Sequence, residues 1–235
     1  MTFTPLASSS HGNAYLVNDG QTVLMLECGL PERRLRQLCS VPLADLGGVL
    51  VSHEHSDHSK SAGKLIAKGL KVYLSAGTAD ALGITENYTE MADREQFSIG
   101  TMDVVPFAVF HDAQEPLGFL IRSRVDSDLL AFATDTVNLG YRFPGVNILA
   151  LEANYDRDIL DKSERMPDKV KRRITNCHME IGTLCRYLQT LDLSKCRELW
   201  LLHLSDATSH EAQFIYRAAR HVPAGCKVYA AGRGG

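Results

Sequence analysis

The chain opens as short apolar runs separated by turn residues and closes with stretches of helical spacing. Residues 13–18 and 22–27 are apolar runs split by Asp19-Gly20, which predicts a hairpin. Residues 31–39 set Leu35 and Leu38 on one helical face, with Pro31 in the first turn. Val49-Leu50-Val51 forms the heart of a buried strand over 47–52 that runs straight into His53. Residues 59–68 are expected to be helical and 71–74 extended, followed by strands over 102–110, 117–122, 129–133 and 146–153. Apolar positions 184, 185, 188 and 191 have helix spacing, so a helix is expected over 185–191. A strand over 197–202 ends at His203, an amphipathic helix covers 210–221, and a last strand covers 227–231. No linker, repeat or low-complexity tract interrupts this order, so residues 1–235 are expected to form one domain. Strands, helices, strands and helices in succession predict an α/β (α+β) fold of two packed sheets with helices outside.

Composition narrows the class. With 235 residues, 45% of them hydrophobic and 23% charged, the chain can bury a core without staples. A net charge of −3 excludes a global basic field, so any polyanion must be met by a local patch. The segment 156–173 is the most charged and is expected to be exposed. Six cysteines are scattered without a CxxC pair and read as reduced, structural thiols. With no signal-peptide pattern at the start and no long apolar stretch, a cytoplasmic protein away from the membrane is expected.

The chemistry concentrates in Ser52-His53-Glu54-His55-Ser56-Asp57-His58, between a buried strand and a helical run. Three imidazoles and a carboxylate this close suit metal ligation. His53 and His55, two apart in an extended loop, point the same way, while Asp57 and His58 at the following turn can face a second ion. The alternative is a polar helix start capped by Asp57. One motif cannot fill two coordination shells, and three more donors, His111, Asp135 and His203, each follow a buried run.

The pattern HxHxDH at 53–58, followed by His111, Asp135 and His203, resembles the metallo-β-lactamase superfamily over nearly the whole chain. The resemblance implies a four-layer αββα sandwich with two divalent metal ions. It implies His53, His55 and His111 on one ion, Asp57, His58 and His203 on the other, and Asp135 bridging. Zinc suits the histidine-rich set, with manganese the alternative where oxygen ligands share the site.

Further segments resemble the YycJ/WalJ-type branch, related to the RNase J and RNase Z nucleases. These are Leu6 to Ser10 before Gly12-Asn13, His111-Asp112-Ala113, Leu151 to Asp156, Arg172-Arg173-Ile174 leading to Cys177-His178-Met179, and His203-Leu204-Ser205. Two features depart from that branch: Glu27 stands where it usually carries Asp, and His178 lacks its usual neighbours. The interval from Asp135 to His178 is also too short for the extra domain of RNase J.

The branch implies a nuclease or exonuclease on DNA or RNA, in which hydroxide activated by two metals attacks phosphorus. His178 is expected beside the scissile phosphate, with Asp57 also in the catalytic set. Arg172 and Arg173 are candidates for phosphate contacts, a solvated basic face being the alternative, and Asn154 and Ser10 are further candidates. The competing readings are a cyclic-nucleotide phosphodiesterase, a glyoxalase II-type thioesterase, and a metal-stabilised binding module without catalysis. The expected partner is a nucleic acid or small nucleotide, with a homodimer as an open alternative.

Overall fold

The computed structural model describes residues 1–232, which divide into two compact units. The first comprises Met1–Ala108 and Ala113–Asp128, the second Val109–Asp112 and Leu129–Ala231.

The first unit starts with β1 (Thr2–Ala7), β2 (Ala14–Asn18) and β3 (Val23–Leu26), joined antiparallel. The expected hairpin is present, with Tyr15 opposite Leu26 and Leu16 opposite Met25. Its turn is held by the Asp19 carboxylate, which accepts from the backbone amides of Gln21 (3.0 Å) and Thr22 (2.8 Å). The chain continues through α1 (Glu32–Leu38), β4 (Gly48–Leu50), α2 (Ser56–Ser59), α3 (Ala62–Ala67), β5 (Val72–Leu74), α4 (Ala76–Leu82) and β6 (Thr89–Glu90). Strands β3 to β6 pair in parallel. Leu16, Met25, Leu35, Val49, Val51, Leu65 and Leu74 form the apolar core between this sheet and its helices. Strands β7 (Phe97–Ile99), β8 (Met102–Ala108) and β9 (Leu117–Ser123) follow as an antiparallel meander.

The second unit is a parallel array, β10 (Leu129–Ala133), β11 (Ile148–Glu152), then α5 (Arg157–Lys162), α6 (Asp168–Cys177), α7 (Ile181–Leu188), β12 (Glu198–Leu202), α8 (Glu211–Ala219) and β13 (Lys227–Ala230). The strands lie in the order β10-β11-β12-β13. Every residue of β10 and β11 is buried, and up to Glu152 at the end of β11 these runs read as continuously apolar instead of alternating.

Several elements escaped the pattern reading. β1 carries Pro5, which interrupts a strand signature and is tolerated at a sheet edge. α6 spans much of the charged segment; its few apolar residues, Val170, Ile174 and Cys177, do share one helical face. α7 begins at Ile181, earlier than its spacing suggested, because the Glu180 side chain caps it by accepting from Thr183 N. No helix of the described residues is long and apolar enough to cross a membrane.

One glycine decides where the histidine-rich loop sits. Gly29 N donates to Asn13 O, and Cys28 N donates to His58 O (2.8 Å). A Cβ at Gly29 would lie 1.7 Å from the Asp57 carbonyl oxygen. Backbone cannot yield as a side chain can, so Gly29→Ala is expected to cost about 1–3 kcal/mol or more in denaturant unfolding. Gly63, inside α3 with open space around its Cβ position, is the control: Gly63→Ala should stabilise by roughly 0.5–1 kcal/mol.

Candidate metal centre

The donors of the second unit arise from strand register. In parallel sheets, side chains beyond the carboxyl ends of neighbouring strands converge. β10, β11 and β12 run side by side, with Ala133 opposite Leu151 and Glu152 opposite Leu202. Asp135, Glu152 and His203 therefore stand at one edge. Asp135 and His203 have φ of 46° and 54°, a left-handed conformation that costs a side-chain-bearing residue about 1–3 kcal/mol. Each turns its side chain back across the strand ends. His203 Nδ1 lies 2.9 Å from Asp135 Oδ1 and 3.3 Å from Glu152 Oε1. His178, in the link between α6 and α7, places Nδ1 2.7 Å from Glu152 Oε1. The donor atoms of Asp135, Glu152, His178 and His203 all fall within 4.8 Å of one another.

Glu152 organises this cluster. It is fully buried, and its Oε2 accepts from Thr136 N (2.8 Å) and Met179 N (3.0 Å). Burial alone would raise its pKa, but the charge and hydrogen bond of His178, with the bond from His203, hold the carboxyl below its ordinary range. Burial alone would likewise lower His178, but the Glu152 carboxylate holds that imidazole above its ordinary value. The structure thus makes His178 the C-cap of α6 and one arm of a buried ion pair. Sequence reasoning quoted Glu152 within a motif and assigned it no role. A glutamate ending a wholly buried strand was the available signal.

His111 belongs to the same unit. Its Nδ1 donates to the Cys177 carbonyl (2.9 Å), which leaves the lone pair of the neutral ring on Nε2, 3.4 Å from Asp135 Oδ2. Burial pulls the His111 pKa down against the Asp135 charge, so the ring stays neutral. A nitrogen lone pair aimed at a carboxylate oxygen suits a cation held by both.

In the first unit, His53 Nε2 and His55 Nδ1 stand 3.1 Å apart, close to the roughly 3.3 Å between two nitrogens on one tetrahedral zinc. Ser52 Oγ holds His53 Nδ1 at 2.8 Å and so fixes the ring. Asp57 Oδ2 lies 3.4 Å from His58 Nε2. His55 is the N-cap of α2 and makes no side-chain cap bond, and Asp57 sits inside the first turn and is not its cap. Asn13 joins the set unannounced by the pattern: its Nδ2 reaches His58 Nε2 (3.2 Å) and the Asp57 carbonyl (3.2 Å). Glu27 has φ 63° and is wholly buried. Its Oε2 lies 3.6 Å from His58 Nδ1, and its Oε1 has no hydrogen-bond partner among the described residues. The residue that departs from the related branch therefore faces His58. A buried carboxylate of this kind fits an imidazole polarised by a bound cation.

Asn154, Ser10, Arg172 and Arg173 complete the candidates. Asn154 is buried and its Nδ2 donates to the His203 carbonyl (2.8 Å), so it props the backbone of His203. Ser10 is exposed in the turn after β1. Arg172 and Arg173 are exposed on α6, where Arg173 Nε approaches Asp112 Oδ2 (3.3 Å).

A profile described as "Beta-lactamase superfamily domain" matches residues 25–204. The chain belongs to the metallo-β-lactamase superfamily. A Bacillus anthracis protein named exodeoxyribonuclease YycJ is 31% identical over 222 residues, covering 86% of this chain and 82% of the relative. A Streptococcus pneumoniae protein named exodeoxyribonuclease WalJ is 28% identical over 226 residues, covering 86% and 81%. The crystal structure of the metallo-β-lactamase fold protein YhfI from Bacillus subtilis aligns with a TM-score of 0.74 at 18% identity, over 99% of this chain and 97% of that one. Membership of the superfamily and the His/Asp clusters make the chain a divalent-metal-binding hydrolase.

The ion pair has a pH signature in metal-stripped protein. His178, raised from 6.5, contributes stability that is full below pH 6.5 and lost as pH rises through its higher folded value. Glu152, lowered from 4.5, contributes stability present above pH 4.5 and lost as pH falls through its lower folded value. The stability gap between stripped wild type and Glu152→Gln should be widest between those limits and narrow at alkaline pH. A gap that stays constant from about pH 5 to about pH 9 contradicts the pair.

Proposed function

We propose that this hydrolase is an exonuclease that removes nucleotides from DNA ends, using two divalent ions. His53, His55 and His111 hold one ion, Asp57, His58 and His203 the other, and Asp135 serves both. Zinc suits the imidazole-rich set and manganese the carboxylate share. The observation that carries the reading is the cluster of Asp135, Glu152, His178 and His203 beyond three in-register strands. The relatives named exodeoxyribonuclease, matched over most of both chains, favour DNA as substrate.

When bound, the ions would lower the pKa of solvent water and offset the charge of a phosphodiester. The protein's own residues do the rest. Glu152 accepts from His178 Nδ1 and so leaves Nε2–H as the end that can give up a proton. The Glu152 carboxylate raises the His178 pKa above its ordinary value, which favours the protonated ring as donor to the departing sugar oxygen. Thr136 N and Met179 N keep Glu152 from rotating as the proton leaves. Asn154 holds the backbone of His203. Glu27 faces His58 Nδ1, Asn13 holds the Asp57 backbone, and Ser52 holds His53.

Phosphates further along the strand meet α6. Lys169, Arg172 and Arg173 are exposed on it, and the helix ends at His178. This local patch meets a polyanion despite the net charge of −3. Ser10, exposed in the loop that Asn13 ties to Asp57, is a further contact.

The test is a panel of single- and double-stranded DNA, RNA, cyclic nucleotides and a thioester on purified, metal-loaded protein. DNA digestion from the ends is expected, and turnover of only the thioester or only cyclic nucleotides rejects the reading. His55→Ala and Asp57→Ala should lower turnover by at least about a thousandfold with the fold retained in circular dichroism. His178→Ala should lower kcat by about a hundredfold or more with little change in KM. Arg172→Ala should weaken DNA binding and reduce the slope of log affinity against log salt by about one.

A further inference from the structure

Far from the histidines along β12, at its amino end, two cysteines meet. Cys196 precedes β12 and Cys226 precedes β13, and their sulfurs lie 3.7 Å apart. The neighbouring backbone is pinned: Lys227 N donates to Arg197 O (2.9 Å), and Glu198 pairs with Lys227 in the parallel ladder. Cys196 is buried, with its Sγ 3.4 Å from Glu198 O. Cys226 is half-buried, after the exposed turn Pro223-Ala224-Gly225. Both thiols are free.

We propose that Cys196 and Cys226 form an oxidisable dithiol, a modification site that hydroperoxides convert to a disulfide between the entries of β12 and β13. A disulfide sulfur pair lies at about 2.0 Å, so the remaining gap is about 1.7 Å. Small side-chain rotations on either residue close it, and the turn before Cys226 carries a glycine to adjust. The two thiols are unequal. The hydrogen bond shared with Cys196 pulls Cys226 below the ordinary thiol range, while the same bond and burial push Cys196 above it. Cys226, reachable from solvent, is the attacking group.

The chemistry balances with hydrogen peroxide as oxidant. The Cys226 thiolate attacks one peroxide oxygen, the O–O bond breaks, and the leaving hydroxide takes up a proton to become water. Cys226 is then a sulfenic acid. Cys196 loses its proton and attacks the Cys226 sulfur, the S–O bond breaks, and the departing hydroxide leaves with that proton as a second water. Two electrons pass from the two sulfurs to one peroxide. Three of the other four cysteines, Cys28, Cys177 and Cys185, are buried. Burial raises the thiols of Cys28 and Cys185. Cys177 is pushed up to about 11 by burial and by Asp112.

The experiment is to treat the native, metal-loaded protein with stoichiometric hydrogen peroxide and measure intact mass and a non-reducing peptide map. The expected result is the loss of two hydrogens, one linked peptide pair joining Cys196 to Cys226, and reversal by dithiothreitol. Cys226→Ser should abolish the link, and Cys196→Ser should stop the reaction at the Cys226 sulfenic acid, trapped by dimedone. Oxygen addition at Cys226 in the wild type without a linked pair overturns the proposal, as does a link through any other cysteine or no change in mass. The wild-type map decides the matter even if a serine variant fails to fold.

Discussion

Everything in the second unit's cluster depends on a carboxylate buried without exposure to water. Glu152 gives up its hydration, and an uncompensated charge there would cost several kcal/mol. Four donors meet that demand: two backbone amides and two imidazoles. The compensation has a consequence for everything around it. Each donor is fixed where the carboxylate needs it, so the loop after β10, the link between α6 and α7, and the end of β12 are tied to one point. A site built this way needs little reorganisation when a substrate charge develops beside it.

The second constraint is backbone strain. Glu27, Asp135 and His203 are all side-chain-bearing residues with positive φ at the ends of buried strands. In each case the turn sends a polar side chain across the strand end instead of onward into a loop. Such conformations persist only where surrounding packing over-determines them. In the second unit that packing is the wholly buried β10 and β11; in the first it is the close approach of Gly29 to the Asp57 backbone. Stability from the apolar strands is what holds the strained, charged residues in place.

The two ends of β12 have different chemistry. Its carboxyl end leads into His203, held against Asp135 and Glu152. Its amino end follows Cys196, in contact with Cys226. A disulfide there would join the entries of two neighbouring strands, Glu198 and Lys227 being paired in the parallel ladder.

The amino-acid sequence by itself determined the strands that are wholly buried, since continuous apolar runs such as 129–133 and 148–151 leave few other structures open. It also pointed to the candidate metal-binding side chains, because HxHxDH and three isolated donors after apolar runs are hard to explain as packing. It pointed less well to elements lacking a clean period: β1 with its proline, α6 with its charged surface, and the start of α7, where a cap set the boundary. Only the tertiary structure decided which donors share a partner. Glu152 and Asn13 carry no signal of their partners in the chain, nor does the hydrogen bond from Asn154 to the His203 carbonyl, and Cys196 and Cys226 stand thirty residues apart. The reason is physical: hydrogen-bond partnership depends on ångström-level register between strands that are distant in sequence, and local pattern carries no record of that register.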